Sequence, residues 1–324
     1  MTFRTLRCAA AAAFALAIFA PIGALAQQFP THTITVVVPN APGGPNDFLA
    51  RMMAAKLEPK LGQSLVVENR PGGGTYTGGA YVAHATPDGY TLLVNAYSGM
   101  QPHLFVKGLE LNLTQALVPV AALSETPYLL FGPASVPANN LKEFIAYAKT
   151  RPGKLNVAVY PGTANSLEIQ SFLKSVGADL TPVSYGSTAA IITAMLRDDV
   201  QIYNGGISGP KAQMEAGKLH GFAVTAKKRD PAVPNIPSTH ELGYDWDSSV
   251  YYAVFAPSRT PAGTVNLLNQ QINTAMHEPD VVERLNTAGS PVAAAASPQQ
   301  LAARLAKEAA TLEREAREQN IQPQ

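Results

Sequence analysis

Apolar positions along the chain alternate between two registers. Ile34–Val38 is a short, continuous, largely β-branched run and reads as a buried strand. Leu49, Met52, Met53 and Leu57 then recur at three- and four-residue spacing, which marks one face of a helix. Ser64–Glu68 and Tyr90–Asn95 read as two more strands. Between them lie a glycine-rich loop from Pro71 to Gly79, a short helix over Gly79–Ala85 and a Pro87-Asp88-Gly89 turn. This βαβαβ order predicts a mostly parallel sheet covered by helices.

A second series follows. Leu141, Phe144, Ile145 and Ala148 mark a helix that stops at Pro152-Gly153, and Leu155–Val159 reads as a strand. Ile169, Phe172, Leu173 and Val176 mark the next helix, Val183–Tyr185 a short strand, and Ser187 a cap for a helix carrying Ile191, Ile192, Met195 and Leu196. Val200–Tyr203 and Gly221–Thr225 complete the strands. Thr126–Gly132 and Val250–Pro257 read as crossings between lobes. The tail from Pro261 is helical, with Leu301, Leu305 and Leu312 as its last apolar stripe. The expected organisation is α/β with two lobes. A first lobe is built from residues 27–127 and 252–324, and a second lobe, residues 128–251, is inserted between those pieces.

The first residues do not belong to this pattern. Arg4 and Arg7 precede an almost wholly apolar stretch from Cys8 to Ala20. Pro21 and Gly23 end it, and Ala24-Leu25-Ala26 supplies small residues at the spacing of a signal peptidase site. Residues 1–26 are read as a cleaved leader, so an exported, soluble protein is expected. No other segment approaches the ~18 consecutive apolar residues of a membrane span. Cys8, the only cysteine, lies before the apolar region of the leader, which argues against a lipid anchor and leaves the mature chain without a thiol. Removing the leader leaves 298 of 324 residues and moves the formal charge from +1 to −1. No basic stripe is present, so nucleic acid is not an expected partner.

Candidate chemistry sits at the predicted strand ends. In an open α/β sheet, ligands bind beyond the carboxyl ends of the strands. There the sequence reads Pro39-Asn40-Ala41-Pro42-Gly43-Gly44-Pro45-Asn46-Asp47. Gly43 and Gly44 let backbone N–H groups approach a ligand, and the helix that follows offers unpaired donors, a combination suited to carboxylate or phosphate. A plain tight turn accounts for the same residues. Asp47 is read as accepting from backbone N–H groups of its own loop, in preference to a catalytic role.

A similar loop, Pro161-Gly162-Thr163-Ala164-Asn165-Ser166, follows the strand in the second lobe. Thr163, Asn165 and Ser166 carry side chains able to donate to an oxyanion, and N-capping is their alternative role. Two such loops on facing lobes would hold a ligand with two anionic ends. Ser98 in the Asn95–Gly99 loop, Tyr185 and Gly186, and Asn204-Gly205-Gly206 stand at other strand ends. Tyr97 and Tyr185 are candidates either for a pocket wall or for the core. Arg70 is read as a solvated or ion-paired loop residue in preference to one that attracts an anion, and Trp246 as packing between the lobes or staying partly exposed. There is no G-x-S-x-G, G-x-G-x-x-G or Walker motif, and no histidine pair at metal-binding spacing, so neither a metal nor a cofactor is expected.

Several motifs, in order, resemble the Bug/TctC family of periplasmic solute-binding proteins. They are Phe29-Pro30, Val38-Pro39 with Gly43-Gly44 and Asp47, and Leu61-Gly62-Gln63 leading to Val67–Gly72. Thr86–Leu92, Ala216–Leu219 and Phe255-Ala256-Pro257 with Thr260-Pro261 follow. Glu68–Gly72 and Pro87–Leu92 are jointly specific, and the resemblance spans the mature chain. It implies a two-lobed Venus-flytrap fold, similar to type II periplasmic binding proteins. A small carboxylate would be held by backbone N–H groups and waters, and a monomer would deliver it to the membrane permease of a tripartite tricarboxylate transporter. The candidate classes are dicarboxylates, tricarboxylates, acidic amino acids and aromatic carboxylates. The implied ligand-facing residues are Ala41, Gly43, Gly44, Asp47 and Ser98 from the first lobe, with Gly162, Thr163, Asn165, Tyr185 and Gly186 from the second. Glu168, Ser184 and Gln201 depart from the family pattern, all in the second lobe. The competing readings are a secreted hydrolase of organic-acid esters, which lacks its nucleophile motif, and a sensor subunit for a signalling partner.

Overall fold

The computed structural model describes residues 29–160 and 163–321. The predicted leader and Gly162 lie outside the described residues. In chain order the elements are β1 (Ile34–Val38), α1 (Pro45–Leu61), β2 (Leu65–Asn69), α2 (Tyr76–Ala83), β3 (Thr91–Ala96), α3 (Leu113–Ala116) and β4 (Leu117–Pro133). There follow α4 (Leu141–Lys149), β5 (Leu155–Val159), α5 (Ala164–Ser175), β6 (Leu180–Ser184), α6 (Thr188–Met195), β7 (Tyr203–Gly206), α7 (Lys211–Glu215) and β8 (Leu219–Val224). The chain closes with β9 (Ser249–Pro257), α8 (Ala262–Met276), α9 (Pro279–Thr287) and α10 (Pro298–Glu318).

The first sheet has the order β2-β1-β3-β9-β4. β1 pairs in parallel with β2 and β3, and β9 runs antiparallel between β3 and β4. Four of the five strands therefore point the same way. β4 then continues into the second sheet. Its residues Leu117–Pro127 pair with β9, whereas Tyr128–Phe131 pair with β7 and Leu129–Pro133 with β8. Parallel β5 and β6 join β7 through the Val157–Ile202 bridge and the Ala158 N–H to Ile202 carbonyl bond of 2.9 Å. The molecule is thus α/β with two lobes, each a mostly parallel sheet flanked by helices.

Burial follows the lobes. Ile34, Val36, Leu49, Met53, Leu92, Leu268 and Ile272 form one core, and Phe144, Phe172, Ile202 and Phe222 belong to another. Helix ends are set by local chemistry. Pro45 opens α1, and Gly62 closes it in the left-handed region at φ 65°. Ser187 accepts from the Ala190 N–H as the predicted cap of α6, and Ser297 with Gln300 forms a capping box for α10. Leu301, Leu305 and Leu312 are buried, as the stripe predicts.

Some expectations shift. The two predicted crossings are long strands. β4 alone spans both sheets, and β9 stays in the first, joined to the second lobe just before Ser249. Trp246 stays partly exposed, the second of its two readings, and its ring stacks on Phe172 at 4.2 Å against the second lobe's core. Gly132 is fixed by a close approach of backbones. A Cβ there would stand 2.1 Å from the Gln201 carbonyl oxygen and 2.9 Å from the Phe222 ring. Gly132→Ala is expected to cost about 2 kcal/mol by forcing β4 away from its neighbours. Thermal unfolding reads that loss, and an unchanged midpoint would show that the approach is slack.

Candidate ligand-binding site

The topology brings the loops together. β1, β2 and β3 are parallel, so the loops after Val38, Asn69 and Ala96 emerge at one edge. β4 runs in the same direction and leaves the first lobe at that edge. In the second lobe β7 opposes β4, with Gly206 paired to Tyr128 where β4 crosses. β5 and β6 run with β7, so their following loops also emerge at the crossing. The carboxyl edges of both sheets therefore meet at the passage between lobes, and each contains the strand-order reversal where α/β sheets bind ligands.

The first-lobe loop is braced at both ends. Gly43, at φ 89°, donates its N–H to Asp47 Oδ2 at 3.0 Å. Asn69 Nδ2 donates to the Asn40 carbonyl and to Asp47 Oδ1, each at 3.0 Å. Arg51 holds the same carboxylate through Nε at 3.0 Å and Nη2 at 2.9 Å. The guanidinium and these donors hold the Asp47 carboxyl at about 2, below the ordinary 3.8. Asp47 is buried, as the reading of it as a loop acceptor requires, and Ala41 and Gly43 are exposed. Gly44 caps α1 with no side-chain hydrogen bond, leaving N–H groups of the first turn directed at the edge.

Sequence reasoning misses the amides behind this loop. Asn46 Nδ2 donates to Asn40 Oδ1 and, at 3.2 Å, to Asn95 Oδ1. Asn46 and Asn95 are buried, and Asn46 Oδ1 has no partner. The available signal is a run of asparagines at three successive strand ends: Asn40, Asn69 and Asn95. Ser98 sits half-buried in the third loop, which Thr75 Oγ1 ties down through the Gly99 carbonyl at 2.7 Å. Tyr97 is core, its hydroxyl donating to the Leu305 carbonyl. Arg70 pairs with Glu68 at 2.6 Å and lies over the Tyr81 ring.

The second-lobe loop differs from its prediction as a side-chain donor set. Thr163 Oγ1 donates to the Tyr160 carbonyl at 2.6 Å, and it makes no capping bond to α5. Ser166 Oγ accepts from the Tyr160 N–H at 2.8 Å and lies 3.0 Å from the same carbonyl. Asn165 Nδ2 donates to the Asn204 carbonyl at 2.7 Å. These bonds fold the loop onto itself and onto β7. Tyr185 is half-buried, and Gly186 is exposed with open space around its Cα. Glu168, one turn further along α5, is half-buried and accepts from Ser248 Oγ. Burial pushes its carboxyl up to about 7. Among the described residues no three acidic, histidine or cysteine groups cluster to hold a metal, and no helix is long and apolar enough to cross a membrane.

Residues 49–320 match the model of the tripartite tricarboxylate transporter family receptor. A UPF0065 protein of Bordetella pertussis (strain Tohama I) is 33% identical over 276 residues, covering 84% of this chain and 85% of its own. R. palustris Rpa4515, solved with adipate, superposes with a TM-score of 0.71 at 29% identity over 91% of this chain and 100% of its own. MatC (Rpa3494) from Rhodopseudomonas palustris, solved with bound malate, gives 0.67 at 31% identity over 89% and 100%. This is a family of solute-binding receptors, not of enzymes. With its loops gathered at the carboxyl edges of two bridged sheets, the chain belongs to the tripartite tricarboxylate transporter receptor family.

Proposed function

We propose that this chain is an exported, periplasmic receptor that captures a small carboxylate between its lobes and passes it to the membrane permease of a tripartite tricarboxylate transporter. The observation that carries this reading is the first-lobe loop. It is clamped by Asp47, Asn69 and Arg51 so that Gly44 and the first turn of α1 present backbone donors at the passage between lobes. Adipate and malate in the two relatives are carboxylates of the size such a loop accepts. Ala41, Gly43, Gly44 and Ser98 form the first-lobe wall, and Asp47 positions it. Thr163, Asn165, Tyr185 and Gly186 form the second-lobe wall. The lobes meet near residues 127–128 on β4 and just before Ser249, so closure bends the chain at those two points. The leader ending at Ala26 directs export.

Gly44→Val tests the loop. Gly44 has an extended backbone at φ −81°, and a Cβ there would meet only the Ala41 carbonyl oxygen at 3.9 Å. The fold therefore tolerates valine, while its branched side chain covers the donors. Affinity for a bound carboxylate is expected to fall at least tenfold, about 1.4 kcal/mol, with little change in the thermal midpoint of the ligand-free protein. Titration calorimetry with adipate and malate as first probes reads the change. A variant that binds a carboxylate as tightly as the wild type moves the anchor elsewhere.

A further inference from the structure

The second-lobe side of the passage carries acids where a second anion end would need donors. Glu168 accepts a hydrogen bond from Ser248 Oγ, and Asn204 Nδ2 donates to that same Ser248 oxygen at 2.9 Å. Asn204 is fully buried, and its Oδ1 has no partner. Tyr128, whose N–H bonds the Ser248 carbonyl at 3.1 Å, fixes this group at the point where β4 crosses.

The remaining neighbours add negative charge. Burial raises the Glu168 carboxyl, and the negative charges of Glu315 and Glu308 on α10 add to that. Burial raises the Tyr128 hydroxyl on β4, and the charge of Glu168, with Tyr252 on β9 and Tyr203 on β7, adds to that. Glu308 is neutralised by Arg304 at 2.8 Å, which also holds Glu125. Glu315 has one buried oxygen without a partner. Among the described residues no cation pairs with Glu168 or Glu315. Arg314 offsets part of the Glu315 charge. A half-buried acid with no cation partner, sharing Ser248 with an amide whose oxygen is orphaned, is an electrostatic deficit that a cation would relieve. The nearby loop offers no cation, since Thr163, Asn165 and Ser166 are neutral, and their donors are engaged within the protein.

We propose that the ligand is a carboxylate whose far end carries an ammonium or other cationic nitrogen, and that Glu168, oriented by Ser248 and Asn204, receives that nitrogen. The inference rests on the reading that the Gly44 loop takes the carboxylate. The two ends of the site then have opposite polarity: donors on the first lobe, acceptors on the second. A dianion such as adipate or malate would place its second carboxylate against Glu168 and Glu315, whereas an amino acid would neutralise Glu168 as the lobes close.

The test compares ω-amino acids of three to six carbons with the dicarboxylates of equal chain length, by titration calorimetry at pH 8 in two buffers of different ionisation enthalpy. Wild type and Glu168→Gln are run side by side. The expected result is at least tenfold tighter binding of the best amino acid than of its matched dicarboxylate in the wild type. Glu168→Gln should erase that preference while leaving the dicarboxylates unchanged or tighter. A dicarboxylate that binds more tightly than every amino acid overturns the proposal. So does a preference that survives Glu168→Gln, or dicarboxylate binding with proton uptake that the variant abolishes. The last outcome would mean that Glu168 is neutralised by a proton instead of a ligand cation. Each of these leaves the carboxylate anchor standing. If no acid of either series binds, the anchor fails and the cation site falls with it.

Discussion

Asp47→Ala is expected to remove about 3 kcal/mol of stability and to weaken carboxylate binding about 100-fold. One carboxylate accepts from the Gly43 N–H, from Asn69 Nδ2 and from the Arg51 guanidinium. Hydrogen bonds to a charged group are each worth about 1.5–3 kcal/mol. Water replaces part of this at exposed Gly43, and the side chain of Arg51 is 53% exposed, so solvent screens most of the ionic part. The larger effect is on the ligand. Without Asp47, Gly43 loses the bond that fixes its left-handed conformation, and the donors of the loop must be ordered when the ligand arrives. Asp47→Asn keeps the shape and one acceptor and is expected to fall in between.

The same carboxylate gives a pH dependence of known sign. Its folded value of about 2 lies below the ordinary 3.8, so the stabilisation is complete above about pH 4 and is lost as pH falls toward 2. Thermal unfolding between pH 2 and 7 should show that loss in the wild type and a smaller one in Asp47→Ala. Equal slopes would mean that the brace contributes nothing.

Where the sequence is informative, the cause is local. Ile34–Val38 and Leu155–Val159 are strands to the residue, because each is an apolar run broken only at its second, half-buried position, Thr35 or Asn156, in a parallel pairing. Ser187 caps α6 because capping depends on neighbours three residues away. The first half of β4 leaves no comparable trace. Pro119 and Pro127 interrupt it, and the pairing with β9 shifts register between Pro119 and Ala121 and again between Ala122 and Ser124. Its extended form is imposed by β9, more than a hundred residues later. The apolar pattern places β7 too early for the same reason: Asn204-Gly205-Gly206 has no apolar alternation, and only pairing with Tyr128–Leu130 makes it a strand.

The site divides along the same line. The glycine loop and Asp47 interact within a single turn of chain and are visible as a unit. The engagement of Thr163, Asn165 and Ser166 is not, because Asn165 is used up by a strand 39 residues away. Glu168 is the least legible. Helical periodicity through Ile169, Phe172 and Leu173 assigns it to a polar, solvated face. The fold covers that face with α10, whose Leu312 and Ala316 pack on Leu167 and after which Gln319 donates to the Leu167 carbonyl at 2.9 Å. An acid that is ordinary on an isolated helix becomes an unpaired charge between lobes.

That placement predicts a stability profile opposite in sign to that of Asp47. Burial raises the Glu168 carboxyl from 4.5 to about 7 in the folded protein. Between those values the folded chain binds a proton that the unfolded chain has released, so unliganded stability falls as pH rises from about 4.5 to about 7 and stays low above it. At pH 8 Glu168 must be carried as a half-buried anion, at a cost of about 2–3 kcal/mol. Glu168→Gln keeps the acceptor oxygen for Ser248 without the charge. It is expected to be more stable than the wild type by about 2 kcal/mol at pH 8 and nearly equal to it at pH 5. Thermal unfolding of ligand-free protein across that range reads the difference directly. If the two curves run parallel, water or Ser248 already compensates the charge, and the deficit assigned to the passage between lobes does not exist. If they converge below pH 5, the receptor holds a strained acid in its empty state. That strain would be relieved when a cationic group occupies the closed cleft.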